Sequence, residues 1–187
     1  MPRGFYARDT ATVARDLLGA TLVRRAGGQT ISGVISETEA YGQSDDPASH
    51  AYRNKTQRNQ AMFGQVGRAY VYFTYGMHYC FNATARDADR SEAGAVLIRG
   101  IIPRKGVAAM MRNRKTQNAR ILADGPAKLT QAMCISSGQY GEDLTTRPRL
   151  CITGNPDYDG ARHNIVESAR IGIREATGKP WNFRLPA

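Results

Sequence analysis

Cysteine is scarce in this chain. Cys80, Cys134 and Cys151 are odd in number, widely separated and never arranged as Cys-x-x-Cys, which argues against a disulfide frame and for reduced, partly buried thiols. His78 and Cys80 have the spacing of two ligands on one strand, but no compact second pair completes a tetrahedral metal site. No apolar run reaches the roughly 18 residues needed to span a bilayer, and no basic amphipathic helix points to a membrane surface. Met1-Pro2-Arg3-Gly4 opens without the apolar region of a signal peptide, so the chain is expected to stay in the cytoplasm. Repeats, low-complexity tracts and linkers are absent as well, and residues 1–187 are expected to form one domain.

Acidic residues are also in short supply, with 16 Asp plus Glu against 26 Lys plus Arg, a formal charge of +10. That balance favours a polyanion through phosphate contacts and counterion release, which makes nucleic acid the leading partner class. A soluble protein that happens to be basic is the plainer alternative. Hydrophobic residues at 41% and charged residues at 22% are ordinary for a folded globular chain.

What is present is a mixed pattern. Asp9-Thr10 can cap a helix with an apolar stripe of Val13, Ala14, Leu17 and Leu18, stopped by Gly19. Thr21–Arg24 and Thr30–Ile35 read as antiparallel strands joined by a turn at Gly27-Gly28. The second strand runs on into Glu37 and Glu39, and a period of two puts Ile35, Glu37, Glu39 and Tyr41 on one face and Val34, Ser36, Thr38 and Ala40 on the other. Asp45-Asp46-Pro47 could begin a short helical turn carrying Ala48 and His50, followed by a polar stretch with Arg53, Lys55 and Arg58.

Residues 69–85 are rich in Tyr, Phe, Val and Thr and read as a hairpin turning at Gly76, with Tyr75 at its tip. A polar loop, 86–92, leads to an apolar strand from Ala93 to Arg99, closed by Pro103. Gly106–Arg114 and the stretch after Asp124-Gly125-Pro126 read as helices. Leu150–Ile152 and Ile171–Ile173 read as short strands ahead of Trp181 and Phe183. The fold class expected is α+β: a curved, largely antiparallel β-sheet with flanking helices and a protruding β-hairpin.

Two carboxylates on one strand face can be a general acid/base pair or ordinary polar surface. The rings of Tyr41, His50, Tyr72 and Tyr75 near them could stack on a flat base or simply fill a core, and Arg99 could stabilise a nearby carboxylate.

Taken in order, Glu37-Thr38-Glu39-Ala40-Tyr41, His50, Arg58-Asn59, Met62-Phe63, Tyr70-Val71-Tyr72, Tyr75-Gly76-Met77, Cys80, Asn82, Val96-Leu97-Ile98-Arg99 and Gly125-Pro126-Ala127-Lys128-Leu129 resemble the alkyladenine (3-methyladenine or N-methylpurine) DNA glycosylase family. The resemblance covers nearly the whole chain. It implies a monofunctional glycosylase that acts as a monomer on double-stranded DNA, flips a damaged purine out of the duplex and cleaves its N-glycosidic bond with water, using no metal or organic cofactor.

By resemblance, Glu39 is the general base and Arg99 helps to position the water, while Glu37 is structural. Tyr41, His50 and Tyr72 correspond to the rings that sandwich the base. Asn82 corresponds to the residue that screens against the extra amino group of guanine, and the backbone near Ala48 and His50 helps set substrate choice. Tyr75 corresponds to a side chain inserted into the vacated space, with Arg53, Arg58 and Lys128 as candidate phosphate contacts. Tyr70 and Phe73 read as core or sheet packing, and His78 and His163 as ordinary polar residues. The compact chain lacks the long N-terminal extension of animal members and resembles a bacterial-type one. His78 after the Gly-Met turn and Ala95 before Val96 depart from the animal pattern. A noncatalytic binder of damaged DNA or structured RNA is the alternative from a different class.

Overall fold

The computed structural model describes residues 1–89, 92–146, 149–155 and 164–186; Arg90 and Ser91 of the expected 86–92 loop, and His163, lie outside them. A short helix α1 (Arg3–Tyr6) precedes α2 (Thr10–Asp16). The Asp9 carboxylate caps α2 by accepting from the backbone N–H of Thr12 at 2.8 Å, which supplies a partner to one of the helix's free N-terminal donors. The stripe of Val13, Ala14, Leu17 and Leu18 is fully buried.

Strands β1 (Thr21–Ala26) and β2 (Gln29–Tyr41) pair antiparallel, Ala26 opposite Gln29. The two residues between them, Gly27 and Gly28, have φ of 56° and 72°. A tight hairpin turn of this kind needs left-handed backbone at both central positions, and glycine adopts it without a steric penalty. The rest of the sheet comes from β3 (Ala69–Thr74), β4 (His78–Thr84), β5 (Ala95–Lys105), β6 (Leu150–Thr153), β7 (Val166–Ser168) and β8 (Asn182–Arg184). Its order is β3-β4-β5-β2-β1-β6, every pairing is antiparallel, and the sheet curls into a half-barrel. Helices α3 (Val107–Arg114) and α4 (Pro126–Ala132) pack on each other, and α4 packs on β4 and β5 while α2 packs on β2. Between helices and sheet lies a core that includes Leu17, Ile35, Phe81, Ile98, Met110 and Leu129.

Strand β2 is central. β5 pairs along one edge, while the other edge is held by β1 as far as Val34 and by β8 at Glu37–Glu39. The carboxylates therefore sit on a strand paired on both sides. The strict two-residue period expected for β2 does not hold. Ile35 pairs with Ile101, Glu37 with Gly100 and Thr38 with Ile98, so Ser36 and Arg99 are skipped by the register. Such a bulge shifts the alternation by one residue. Ile35 thus joins the same core cluster as Ala40, while Glu37, Glu39 and Tyr41 remain together.

Three further expectations are corrected. Asp45–Pro47 starts no helix: its chain turns through single i→i+3 hydrogen bonds such as Ser49 N to Asp46 O at 2.9 Å. Pro103 does not end β5, which continues to Lys105. Pro103 lies opposite Gly33 at a register irregularity, beyond the part of β5 that β4 covers, and such a position tolerates a residue without an N–H. Ile171–Ile173 is not a strand but a turn with left-handed Gly172, and the strands nearby are β7 and β8. Among the described residues no helix is long and apolar enough to cross a membrane.

Candidate active site

The two carboxylates of β2 meet one arginine. Arg99 Nε donates to Glu37 at 3.0 Å, and its Nη1 lies 3.4 Å from Glu39 Oε2. The irregular register makes this possible, since Arg99 is the residue of β5 skipped between Gly100, opposite Glu37, and Ile98, opposite Thr38. Asn182 of β8 also bridges both carboxylates, its Nδ2 donating to Glu37 at 2.8 Å and to Glu39 at 3.2 Å.

Glu39 is completely buried. Its Oε1 also accepts from the backbone N–H of Ile171 at 2.7 Å, and its Oε2 from the Tyr41 hydroxyl at 2.8 Å. Four donors thus converge on one carboxylate, enough to make its burial tolerable. Burial, then the charge of Glu39 and the bond to it, hold the Tyr41 hydroxyl far above its ordinary range, so that it stays a donor. Glu37 is less enclosed, with its side chain 17% exposed.

Tyr41, Arg99 and Ile171 form part of the wall of a pocket of about 260 Å³, so three of the four Glu39 partners face the cavity while Glu39 stands behind them. Ala48, His50, Tyr70, Tyr72, Cys80 and Asn82 complete the wall on the other sides. The volume falls just below the usual range for drug-sized ligands, which begins at about 300 Å³. Met62, Ala95 and Leu97 add an apolar floor.

His50 meets Tyr72 edge to face with ring centroids 4.6 Å apart, and its Nδ1 lies 2.8 Å from the Tyr70 hydroxyl. His50 as a residue is exposed and lines both this pocket and the groove beside it. Desolvation by the surrounding protein, and next the charge of Arg58, push its pKa below the ordinary histidine value. Tyr70, expected to be packing, is buried and also lines the pocket. Phe73 is not core: it is half exposed and leans on Tyr79, ring centroids 5.1 Å apart. The Asn82 amide nitrogen donates to Tyr70 O at 3.0 Å, which fixes the side chain in the wall. Burial raises the Cys80 thiol pKa; Cys151 is buried too, whereas Cys134 is exposed rather than partly buried.

Above the pocket the β3–β4 hairpin ends in Tyr75-Gly76-Met77, with Thr74 opposite His78. Tyr75 is 85% exposed and Met77 69%, and both Tyr75 and Gly76 have left-handed backbone, φ 51° and 68°. Two large apolar side chains presented to solvent at the tip of a strand pair call for a partner surface. Arg58 lies over the Tyr72 ring at 5.1 Å and donates to Phe73 O at 3.2 Å. Arg53 lines a larger, open groove of about 630 Å³ that shares Ala48, His50, Gly172 and Ile173 with the pocket. None of the four donors to Glu39 lines that groove, whereas Tyr41, Arg99 and Ile171 line the smaller pocket, so the smaller pocket is the one that adjoins the carboxylate. Lys128 pairs with Asp124 at 2.9 Å on the exposed side of α4.

Four residues of the site escape a reading of the sequence. Asp46 and Arg170 form a fully buried two-point ion pair at 2.7 and 2.6 Å, and Arg170 also donates to Ala40 O at 2.9 Å. The same guanidinium lies 4.6 Å from the Tyr41 ring centroid and 5.3 Å from that of Trp181. Ile171, the next residue, delivers its N–H to Glu39, and Asn182 holds both carboxylates. The apolar, Gly-centred segment Ile171-Gly172-Ile173 is the one available signal, and its apolar residues suggest a strand.

The family model for methylpurine-DNA glycosylase (MPG) matches residues 4–187. Among curated relatives, a protein of Carboxydothermus hydrogenoformans is 50% identical over 186 residues, covering 99% of this chain and 94% of its own. One of Methanoculleus marisnigri is 43% identical with the same coverage, and one of Rhodopseudomonas palustris is 41% identical over 185 residues, covering 99% of this chain and 86% of its own. All three bear the name "Putative 3-methyladenine DNA glycosylase". With a model matched from residue 4 to the last, and relatives this similar over 86% to 94% of their length, the chain belongs to the methylpurine-DNA glycosylase family and is a DNA glycosylase, a hydrolase.

Proposed function

We propose that the protein is a monofunctional glycosylase that acts as a monomer on double-stranded DNA, turns alkylated or deaminated purines out of the duplex and hydrolyses the N-glycosidic bond, leaving an abasic site. The observation that carries this reading is the convergence of four donors on buried Glu39 at the back of a pocket walled by Tyr41, His50 and Tyr72. The extruded base stacks on these rings, and each such contact returns about 1 to 3 kcal/mol toward the few kcal/mol that flipping costs. Tyr75 enters the vacated space in the stack. Asn82, held by Tyr70 O, limits the room for the amino group that guanine carries and hypoxanthine lacks.

The longest of the four contacts, Arg99 to Glu39 at 3.4 Å, is the one through which a water reaches the carboxylate. The water oxygen bonds to the sugar carbon as the bond to the purine breaks, the bonding pair leaves with the base, and the water proton passes to Glu39. Asn182, Tyr41 and Ile171 keep the carboxylate in place meanwhile. Glu37 holds the Nε end of Arg99, so that Nη1 is directed at the water.

Glu39→Gln keeps the shape of the side chain and loses its basicity. Release of hypoxanthine and of 7-methylguanine from duplex oligonucleotides is expected to fall about 10² to 10⁴-fold, with binding to the same duplexes nearly unchanged. Undiminished release by the variant would remove Glu39 from the role. An unmodified protein that binds damaged duplexes and frees no base from them would be a binder instead.

A further inference from the structure

Of the rings that line the pocket, two already carry a cation. Arg170 Cζ lies 4.6 Å from the Tyr41 centroid and Arg58 Cζ lies 5.1 Å from the Tyr72 centroid. Neither arginine lines the cavity, so each acts on a bound base through the ring it touches. An aromatic face attracts a cation through its electron density. A guanidinium on one face uses part of that attraction and repels a second positive charge on the other.

Arg170 is fully buried among Tyr41, Trp181 and Asp46, and Lys179 Nζ lies 4.0 Å from the Trp181 centroid, continuing the stack with another cation. Asp46 offsets part of the Arg170 charge. Among the described residues no carboxylate pairs with Arg58, which spends one nitrogen on the carbonyl of Phe73. Arg99, on the pocket wall, is outweighed by Glu37 and Glu39, so that cluster offers no net positive charge.

We infer that Arg58 and Arg170 are selectivity residues: resting on two of the three stacking rings, they turn the pocket away from purines that carry a positive charge, such as 7-methylguanine, and toward neutral lesions such as hypoxanthine. Because the pocket is read above as the base site, a stacked purine lies roughly 8 Å from each guanidinium carbon. At that distance and an intermediate dielectric, one unit charge changes the relative acceptance of a cation about tenfold. The direction makes chemical sense, since a cationic purine leaves its sugar readily and needs little help, whereas a neutral one depends on the site.

The test compares single-turnover base release at saturating protein from two duplexes of one sequence, one with 7-methylguanine and one with hypoxanthine. In Arg58→Gln, at an exposed position, the ratio of the 7-methylguanine rate to the hypoxanthine rate is expected to rise about tenfold. Arg58→Lys keeps the charge and should stay near the original ratio. Arg170→Met combined with Asp46→Asn removes the second guanidinium together with the acid that offsets part of its charge, and should raise the ratio less than Arg58→Gln does. If that variant does not fold, the two Arg58 variants decide alone. A ratio that stays within about twofold in Arg58→Gln, including a parallel fall of both rates as from a lost phosphate contact, overturns the inference while leaving the glycosylase reading intact. If the unmodified protein releases neither base, both readings fall together.

Discussion

His50 shows how far one side chain can be argued from its surroundings. Desolvation and the nearby Arg58 charge lower its pKa from 6.5, so the folded protein favours the neutral ring that lies against Tyr70 and Tyr72. The unfolded chain binds a proton near pH 6.5 and the folded one only at lower pH. Stability from this residue is therefore fully present above about pH 6.5 and is lost as pH falls through that value toward the folded pKa. Thermal denaturation of the protein and of His50→Gln across this range checks it. The stability difference between the two should shrink in favour of the variant as pH drops below 6.5, and a difference independent of pH would remove His50 as its source. The carboxylates, Tyr41 and the hairpin tyrosines were legible because they are near neighbours in the chain and carry obvious chemistry. Asp46 with Arg170 and Glu37 with Asn182 were not, since they meet across 124 and 145 residues and have no local pattern around them.

At the scale of elements, caps and tight turns were legible locally, whereas the local readings at Asp45–Pro47, Pro103 and Ile171–Ile173 were not borne out. The Asp9 cap, the Gly27-Gly28 turn, the β3–β4 hairpin and the Pro126 helix start each declare themselves within a few residues. The bulge in β2 does not, because no residue type marks it; it follows from how β5 lies alongside and places Arg99. Close approach between elements is equally silent in a sequence, as two glycines illustrate. A Cβ on Gly76, at the hairpin tip, meets nothing within 4 Å. Gly76→Ala should therefore cost only the left-handed backbone penalty, about 1 kcal/mol. At Gly94, just ahead of β5, a Cβ would run into Ala85 O and Thr10 Oγ1, the partners of a 3.0 Å hydrogen bond that ties α2 to the end of β4. Gly94→Ala should cost about 3 kcal/mol from overpacking and the broken bond. Urea denaturation of the two variants gives the comparison, and equal losses would refute the packing account.

The whole molecule carries +10, and the question at this scale is which cations meet DNA. The hairpin tip, the pocket mouth and the groove with Arg53 and Arg174 adjoin one another through His50, Tyr75 and Ile173. Arg149 sits elsewhere, beside the Gly27-Gly28 turn, at the end of β2 remote from Tyr41. Twelve steps along a strand span roughly 40 Å before curvature shortens them. If a duplex lies across the hairpin and the groove, Arg53 and exposed Lys55 displace counterions from its phosphates and Arg149 does not. Each phosphate contact adds about 0.9 to the slope of log affinity against log salt. Titrating an undamaged duplex over a range of salt should thus give slopes shallower by about one in Arg53→Ala and in Lys55→Ala. Arg149→Ala, which also frees Glu142 from its 2.9 Å ion pair, should leave the slope where it was. A slope that fell as much for Arg149 as for Arg53 would mean that binding is spread over the basic surface as a whole. A slope unchanged in all three variants would move the duplex off the groove altogether.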